Sequence, residues 1–196
     1  MGKIFYIMGK SSSGKDTLFA ELLSREDLGL KRIVLYTTRP VRAGEEDGVQ
    51  YHFVTEDKLQ EFLQAGKVIE LRAYQVVGGV WKYFTVDSEK INLEAENYLA
   101  IGTLESYQKM KDYYGEEKVV PVYLEVSDDK RLERALQRER GQKNPNYDEL
   151  CRRFLADSED FSEENLQKAG ITGRFVNDGE PDVCINQVVN FIKNAR

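Results

Sequence analysis

One stretch near the start of the chain constrains its fold most. It consists of an apolar run (residues 4–8), a glycine-rich loop (residues 9–17) and a leucine-rich segment that follows the loop. This order indicates strand, loop and helix. The loop has the G-x-x-x-x-G-K spacing of a phosphate-binding P-loop, in which backbone N–H groups and a helix N-terminus surround an anion and the lysine reaches the β- and γ-phosphates. We therefore predict a nucleoside triphosphate site. The residues expected to bind it are Gly9, Ser11, Ser12, Ser13, Gly14, Lys15, Asp16 and Thr17.

The residue after the P-loop lysine departs from the usual pattern. That position normally carries Ser or Thr, whose hydroxyl binds Mg²⁺, whereas this chain has Asp16 and then Thr17. A carboxylate beside a triphosphate is repelled unless it faces the metal, directly or through water, or turns outward in the first helical turn. We predict a Mg²⁺ site that uses Asp16 or Thr17, and the sequence does not choose between them.

The composition describes an ordinary soluble protein. Its 196 residues, 41% hydrophobic and 32% charged, suffice for one core. No apolar run approaches the roughly 20 residues that span a bilayer, and the chain runs directly into a strand, so we expect no signal peptide and a cytoplasmic location. The net charge of −6 argues against a nucleic-acid partner. We expect small phosphorylated ligands and no membrane partner; the sequence does not reveal the oligomeric state.

Cysteine and histidine usage excludes several other chemistries. Cys151 and Cys184 are far apart and lie in no C-x-x-C pattern, so neither a disulfide framework nor a zinc site is expected. His52 is the only histidine, and every Ser-His-Asp or Cys-His mechanism would have to use it. We do not expect such a mechanism.

The hydrophobic period alternates between strand-like and helix-like values, which is typical of a parallel sheet covered by helices. We predict one α/β domain with the three-layer P-loop NTPase fold and a central parallel sheet. Within residues 1–196, the predicted parts are a core of about 1–34, 97–133 and 151–196, a small β acceptor-binding region of about 35–86 and a helical lid of about 134–150. The predicted elements include a strand over 32–36, a Gly-Gly hairpin over 76–81, a helix over 87–96 and one long helix over about 148–168.

Two pairs of arginines are candidates for the transfer chemistry. Arg39 and Arg42 lie in a polar loop near the carboxyl end of a strand, where open α/β sheets bind ligands. They could clamp a second phosphate, with the Tyr51 hydroxyl donating to the same oxygens. Arg134 and Arg138 share one helix face and lead into a breaker-rich segment, which fits a lid that closes over the γ-phosphate. The alternative for each arginine is a solvated surface position.

Residues 37–54, T-T-R-P-V-R-A-G-E-E-D-G-V-Q-Y-H-F-V, resemble the guanylate kinase signature T-T-R-x-x-R-x-G-E-x-x-G-x-x-Y-x-F-V. With the P-loop, the length and the order of elements, the resemblance covers essentially the whole chain. It implies ATP-dependent phosphorylation of GMP with Mg²⁺. The implied acceptor residues are Arg39, Arg42, Tyr51, Tyr83, Glu70, which reads the guanine edge, and Thr85, which contacts the base. A carboxylate can accept from N1–H and N2–H₂ of guanine, which adenine does not offer.

The same resemblance implies roles around the donor nucleotide. Arg153 is similar to a third lid arginine, and Asn177, in V-N-D, is similar to a turn near the donor adenine. A simple turn explains Asn177 nearly as well. The catalytic residues expected are Lys15, Arg39, Arg134, Arg138 and Arg153.

The chain departs from the family pattern at the end of the strand over residues 98–102. The family carries acids there, as in L-D-I-D, whereas this chain has Ala100 and Gly102; Leu35 stands where a guanine-contacting serine is common, and Glu105 is the nearest acid downstream. The acceptor could therefore be another nucleoside monophosphate or ribose 1,5-bisphosphate, because G-K-D also resembles the ribose bisphosphate kinases. A non-catalytic guanylate-kinase-like binding module is a third hypothesis, and the intact Lys15 argues against it.

Overall fold

The strands form two separate sheets. The computed structural model describes residues 2–42, 44–76, 79–88 and 91–195. The strands in these residues are β1 (Ile4–Gly9), β2 (Leu30–Arg32), β3 (Tyr36–Thr37), β4 (His52–Phe53), β5 (Val68–Val76), β6 (Gly79–Val86), β7 (Asn97–Gly102), β8 (Val119–Glu125) and β9 (Phe175–Val176). The first sheet has the order β2-β7-β1-β8-β9 and is parallel throughout. The second has the order β4-β3-β6-β5 and is mostly antiparallel.

Seven α-helices lie within the described residues. They are α1 (Lys15–Ser24), α2 (Glu56–Gln64), α3 (Leu104–Tyr114), α4 (Asp128–Arg140), α5 (Tyr147–Asp160), α6 (Glu163–Lys168) and α7 (Pro181–Asn194). Local capping explains several starts: Thr55 accepts from the Lys58 N–H at the start of α2, and Thr103 and Ser106 form a capping box on α3. No helix in this part of the chain is long and apolar enough to cross a membrane.

β1 is buried on both faces and forms the centre of the core. Alternate residues, such as Tyr6 and Met8, pack in a cluster with side chains of α3. The intervening residues Phe5 and Ile7 pack in a second cluster with α1 and α7. This continuous burial is what a parallel strand covered by helices on both sides requires. It confirms the predicted α/β class with a central parallel sheet.

The predicted strand over 32–36 is wrong as a single element. The chain leaves the parallel sheet after β2 and enters the second sheet at β3. The Ile33 N–H still donates to Leu99 O of β7 at 3.0 Å, whereas Leu35 O accepts from His52 N of β4 at 2.8 Å. One apolar run therefore crosses between two sheets, because each half pairs with a different neighbour.

Two helix predictions are also corrected. In the predicted helix over 87–96, residues 87–88 and 91–96 form turns and irregular structure and no helix. Residues 89 and 90 lie outside the described residues. Here the Asn92 side chain accepts from the Glu94 N–H at 3.1 Å, a local bond that competes with helix formation. The single helix over 148–168 is instead α5 and α6, because Ser162 interrupts it and caps α6 by accepting from Asn165 N.

The β5–β6 pair determines which side chains face the predicted acceptor region. The two strands pair antiparallel, and residues 77 and 78 of the predicted hairpin lie outside the described residues. Leu71 is opposite Phe84, which packs with α2, whereas Glu70 is opposite Thr85 and Arg72 opposite Tyr83. Residues two apart on a strand and residues directly opposite share a face. The face away from α2 therefore includes Glu70, Arg72, Tyr83 and Thr85.

Candidate active site

The glycine-rich loop connects β1 to α1 in conformations that its sequence pattern permits. Ser12 and Gly14 have φ of 66° and 88°, the left-handed region that glycine adopts without strain. A Cβ on Gly9 would lie 2.7 Å from Leu124 O, and one on Gly14 would lie 2.6 Å from Asn177 Nδ2. Both glycines of the motif are therefore needed for close backbone approach.

Buried polar atoms without partners lie along this loop. Within the described residues, Ser12 Oγ, Ser13 Oγ and Asn177 Oδ1 are buried and make no hydrogen bond. Asn177 Nδ2 donates to Ser13 O at 2.9 Å, which brings the predicted adenine-side residue onto the P-loop. Buried polar atoms usually have a partner, so these atoms suit a polar ligand. Beside them is a cavity of about 270 Å³ that Ser12, Thr17, Arg134 and Asn177 help to line.

Lys15 begins α1 among charged groups of both signs. Burial lowers the pKa of Lys15, and the carboxylates of Asp16 and Asp157 oppose that change. The guanidinium groups of Arg153 and Arg138 lower the same pKa further. A bound triphosphate would add negative charge at this position and stabilise the charged lysine.

The three predicted lid arginines converge on the P-loop. Arg134 on α4 donates to Asn177 O at 2.9 Å, and Arg153 on α5 donates to Ser11 Oγ at 3.3 Å. Arg138 lines a cavity of about 180 Å³ together with Ser11 and Arg153. Residues far apart in sequence thus supply positive charge around one loop, although their catalytic roles remain predictions.

Sequence reasoning missed two residues that hold α4 and α5 against this loop. Asp157 Oδ2 accepts from the Ser11 N–H at 2.7 Å and from Arg131 Nη1 at 3.4 Å. Arg131 is completely buried, pairs with Asp128 at 3.0 Å and lies 3.7 Å above the Phe154 ring. The available signal was spacing, because Asp157 follows Arg153 by four residues and shares its helix face.

Arg39 and Arg42, the predicted phosphate clamp, differ in their surroundings. Arg39 is buried and donates through both terminal nitrogens to Glu45, at 2.7 and 2.5 Å. Its guanidinium lies 5.1 Å from the centre of the Tyr51 ring. Arg42 is exposed and lies 5.4 Å above the Trp81 ring. The motif glutamate therefore fixes the orientation of Arg39 in a bidentate pair.

The Arg39–Glu45 pair predicts a pH dependence of stability. The hydrogen bonds from Arg39 lower the pKa of Glu45 from 4.5 to about 2. A depressed carboxyl pKa stabilises the folded state above the ordinary value, and this contribution is lost as the pH falls towards 2. We expect the melting-temperature difference between wild type and Glu45→Gln to be constant above about pH 5 and to narrow below it. Thermal unfolding from pH 7 to 3 measures this, with Glu46→Gln as the control; a constant gap would contradict the pairing.

The predicted base-reading residues form a buried hydrogen-bonded group. Glu70 is 5% exposed, and its Oε1 accepts from Thr85 Oγ1 at 2.8 Å. Its Oε2 accepts from Arg72 Nε at 3.0 Å. Tyr83 continues the same face, with its ring centre 5.5 Å from that of Tyr51. The structure thus brings the predicted phosphate and base residues onto one surface, and it adds Arg72, which sequence reasoning did not assign.

The surroundings of Gly102 leave no room for a side chain at the position where the family pattern has an acid. Tyr6 donates to Ser106 Oγ at 2.7 Å. A Cβ on Gly102 would lie 2.2 Å from the Tyr6 hydroxyl oxygen and 2.5 Å from Ser106 Oγ. Ala100 is buried opposite Tyr6 in the β1–β7 register. The tyrosine hydroxyl therefore occupies the space that a side chain at Gly102 would need.

We predict that Gly102→Ala destabilises the protein by about 1–3 kcal/mol, the usual cost of overpacking. For a chain of this size that loss lowers the melting temperature by roughly 2–4 °C per kcal/mol. Repeating the substitution in a Tyr6→Phe background removes the hydroxyl oxygen, so the loss should be smaller there. Calorimetric unfolding of the four proteins measures the coupling, and an equal loss in both backgrounds would show that Tyr6 does not cause the crowding.

The first turn of α1 offers oxygen ligands for a metal ion. Asp16 and Thr17 are both exposed there. In the described part of the chain, no group of three or more His, Cys, Asp or Glu side chains could hold a metal by itself. Mg²⁺ in kinases is commonly held by one or two carboxylates together with substrate phosphates. The Asp16 carboxylate beside Lys15 fits such a site. That Asp16 or Thr17 binds Mg²⁺ remains a prediction.

Comparison with known proteins gives consistent matches. A family model described as guanylate kinase matches residues 1–149. A guanylate kinase of Malacoplasma penetrans is 30% identical over 137 residues, which cover 69% of this chain and 68% of that protein. A guanylate kinase of Neisseria gonorrhoeae is 38% identical over 98 residues, which cover 50% of this chain and 45% of that protein. The match to the Neisseria gonorrhoeae protein thus spans about half of that protein's length.

A solved structure supports the fold independently. The crystal structure of guanylate kinase from Anaplasma phagocytophilum matches 98% of this chain and 85% of that chain, with a TM-score of 0.62 and 20% identity. At this identity the match concerns the fold. It supports the α/β fold with a central parallel sheet described above.

Proposed function

The chain belongs to the guanylate kinase family, and from this premise we propose that it catalyses ATP + GMP ⇌ ADP + GDP, with dGMP as a further acceptor. One observation carries the choice of acceptor: the buried Glu70 carboxylate lies on the same sheet face as Tyr83 and accepts from Thr85. A guanine edge offers the two donors that such a carboxylate can accept. A sugar phosphate without a base would not need this group.

The donor side of the proposed reaction uses the P-loop. Loop amides and Lys15 would hold the β- and γ-phosphates, with Asn177 near the nucleoside. Asp16 or Thr17 would hold Mg²⁺, which supplies positive charge to the phosphate oxygens when it is bound. Support comes from the unpaired polar atoms along the loop and from the charges around Lys15.

In the proposed transfer, the protein itself forms no covalent bond to the phosphoryl group. An oxygen of the acceptor phosphate attacks the γ-phosphorus in line, the bond to the β–γ bridging oxygen breaks, and ADP leaves. Arg39, Arg42, Tyr51 and Tyr83 would orient the acceptor phosphate. The lid arginines would stabilise the charge that moves between the two nucleotides and help to exclude water.

Product analysis tests this proposal. The protein is incubated with ATP, Mg²⁺ and GMP, and all nucleotides are separated by ion-exchange chromatography. We expect GDP and ADP to appear in equal amounts. ADP without GDP would indicate hydrolysis, and the absence of both would favour another acceptor or a binding module.

A further inference from the structure

Arg72 lies within the acceptor face and is fixed there by Glu70. The two residues are two apart on β5, and their side chains are 14% and 2% exposed. Arg72 donates to Glu70 through Nε at 3.0 Å and through Nη2 at 3.4 Å. It lies opposite Tyr83 in the strand register. A partly buried guanidinium is therefore held next to the carboxylate proposed to read the base.

Only one edge of this guanidinium is occupied. Among the described residues, Nη1 of Arg72 makes no hydrogen bond, and Glu70 is its ion-pair partner. Arg72 lines a cavity of about 560 Å³ together with Tyr74, Thr103, Glu105 and Gln108. Since the guanidinium carries five N–H donors, donors remain available to a ligand in this cavity.

The charge of Arg72 reaches the predicted phosphate-binding tyrosines. Burial raises the pKa of Tyr51, and the guanidinium groups of Arg39 and Arg72 oppose the rise. The rings of Tyr74 and Tyr83 lie 5.7 Å apart on the same face. Arg72 thus lies in the acceptor region and not on the outer surface of the sheet.

The acceptor carboxylate of Glu70 and the donor guanidinium of Arg72 lie side by side, and this order complements the edge of guanine. One side of the guanine ring presents, in sequence, the donors N2–H₂ and N1–H and the acceptors O6 and N7. A carboxylate binds the first pair, and a guanidinium binds O6 and N7 as a bidentate donor. Resting on the function proposed above, we propose that Arg72 donates to O6 and N7 of the acceptor guanine while Glu70 accepts from N1–H and N2–H₂. Adenine presents an amino group in place of O6, so Arg72 would oppose it.

The missing family acids make this arrangement possible. A carboxylate within hydrogen-bond distance of Arg72 would compete with a ligand for its N–H donors. Here Gly102 is closed to any side chain by the Tyr6 hydroxyl, and Ala100 is buried and apolar. Arg72 therefore keeps free donors, and it supplies base discrimination that an acid on β7 does not provide in this chain.

The test compares dGMP with 7-deaza-dGMP, in which a C–H group replaces N7. With the unmodified protein we expect kcat/KM for the deaza compound to be about tenfold lower, the value of one hydrogen bond to a charged group. Arg72→Met should lower kcat/KM for dGMP about 10- to 100-fold. In this variant the kcat/KM values for dGMP and 7-deaza-dGMP should agree within about twofold. Lys168→Met, which removes another cation that lines the same cavity, should retain the wild-type preference.

Calorimetric binding of the same two nucleotides separates this inference from the proposed function. A roughly tenfold preference for dGMP in binding without any transfer would support Arg72 and contradict the kinase. Transfer to dGMP with equal kcat/KM for both compounds would overturn the role of Arg72 and leave the kinase intact. Binding of neither compound would overturn both. The comparison on the unmodified protein does not depend on the stability of Arg72→Met.

Discussion

Replacing Lys15 with alanine is expected to lower kcat for GDP formation about a thousand-fold, the effect of losing a preorganised charge at a transferring group. Lys15 begins α1 directly after Gly14, where the loop amides and the helix N-terminus converge. Burial lowers the pKa of Lys15 in the free protein, and the negative charge of the β- and γ-phosphates would oppose that shift on binding. The loss should therefore appear mainly in kcat.

The measurement is steady-state GDP formation at saturating ATP and GMP. Lys31→Ala is the matched control, because it removes an exposed lysine whose partner is Glu96, and surface pairs of this kind contribute little to stability. The control should stay within about twofold of wild type. If Lys15→Ala retained more than a tenth of the wild-type kcat while Lys31→Ala was normal, the P-loop would not be the donor site.

Glu70→Gln is expected to lower kcat/KM for GMP about 100-fold while changing the much smaller value for AMP far less. The substitution keeps one acceptor oxygen and the side-chain volume. It removes the negative charge of the carboxylate to which Arg72 and Thr85 donate. Its amide N–H₂ would face a guanine donor, and buried polar groups left unpaired cost about 1–3 kcal/mol. Selectivity for guanine should therefore decline more than the rate of transfer to a bound acceptor.

Kinetics with GMP and AMP, together with thermal unfolding, separate specificity from folding. Glu61→Gln on α2 is the control, since its exposed side chain pairs with Lys58 on the opposite side of the second sheet. A variant that stays folded and retains the wild-type GMP to AMP ratio would mean that Glu70 does not read the base. The Arg72 proposal would then lose its partner, although the P-loop assignment would stand.

The sequence predicted the features that depend on local chemistry. The P-loop spacing requires Gly9 and Gly14, whose close backbone contacts leave no room for a Cβ. The central parallel sheet could be predicted from apolar runs such as residues 4–8, which strands buried on both faces require. These features could be predicted because the same few residues determine both the pattern and the structure.

Contacts between distant parts of the chain could not be predicted in this way. Asp157 accepts from the Ser11 amide across 146 residues; its spacing from Arg153 places it on the same helix face but does not reveal this partner. The space around Gly102 depends on Tyr6 of a neighbouring strand and on Ser106. Arg72 lies two residues beyond Glu70, a recognised motif position, but its role depends on which face of β5 meets the cavity. That face follows from the pairing with β6.

The most direct test of guanine selectivity is a competition among acceptors. ATP and Mg²⁺ are mixed with equal concentrations of GMP, dGMP, AMP, CMP, UMP and ribose 1,5-bisphosphate, and early products are quantified by chromatography with mass detection. Under these conditions product ratios equal ratios of kcat/KM. We expect GDP and dGDP to exceed all other products by at least about a hundred-fold. If a product without guanine predominated, Glu70 would not be a guanine-reading residue. The substrate would then be another phosphorylated acceptor.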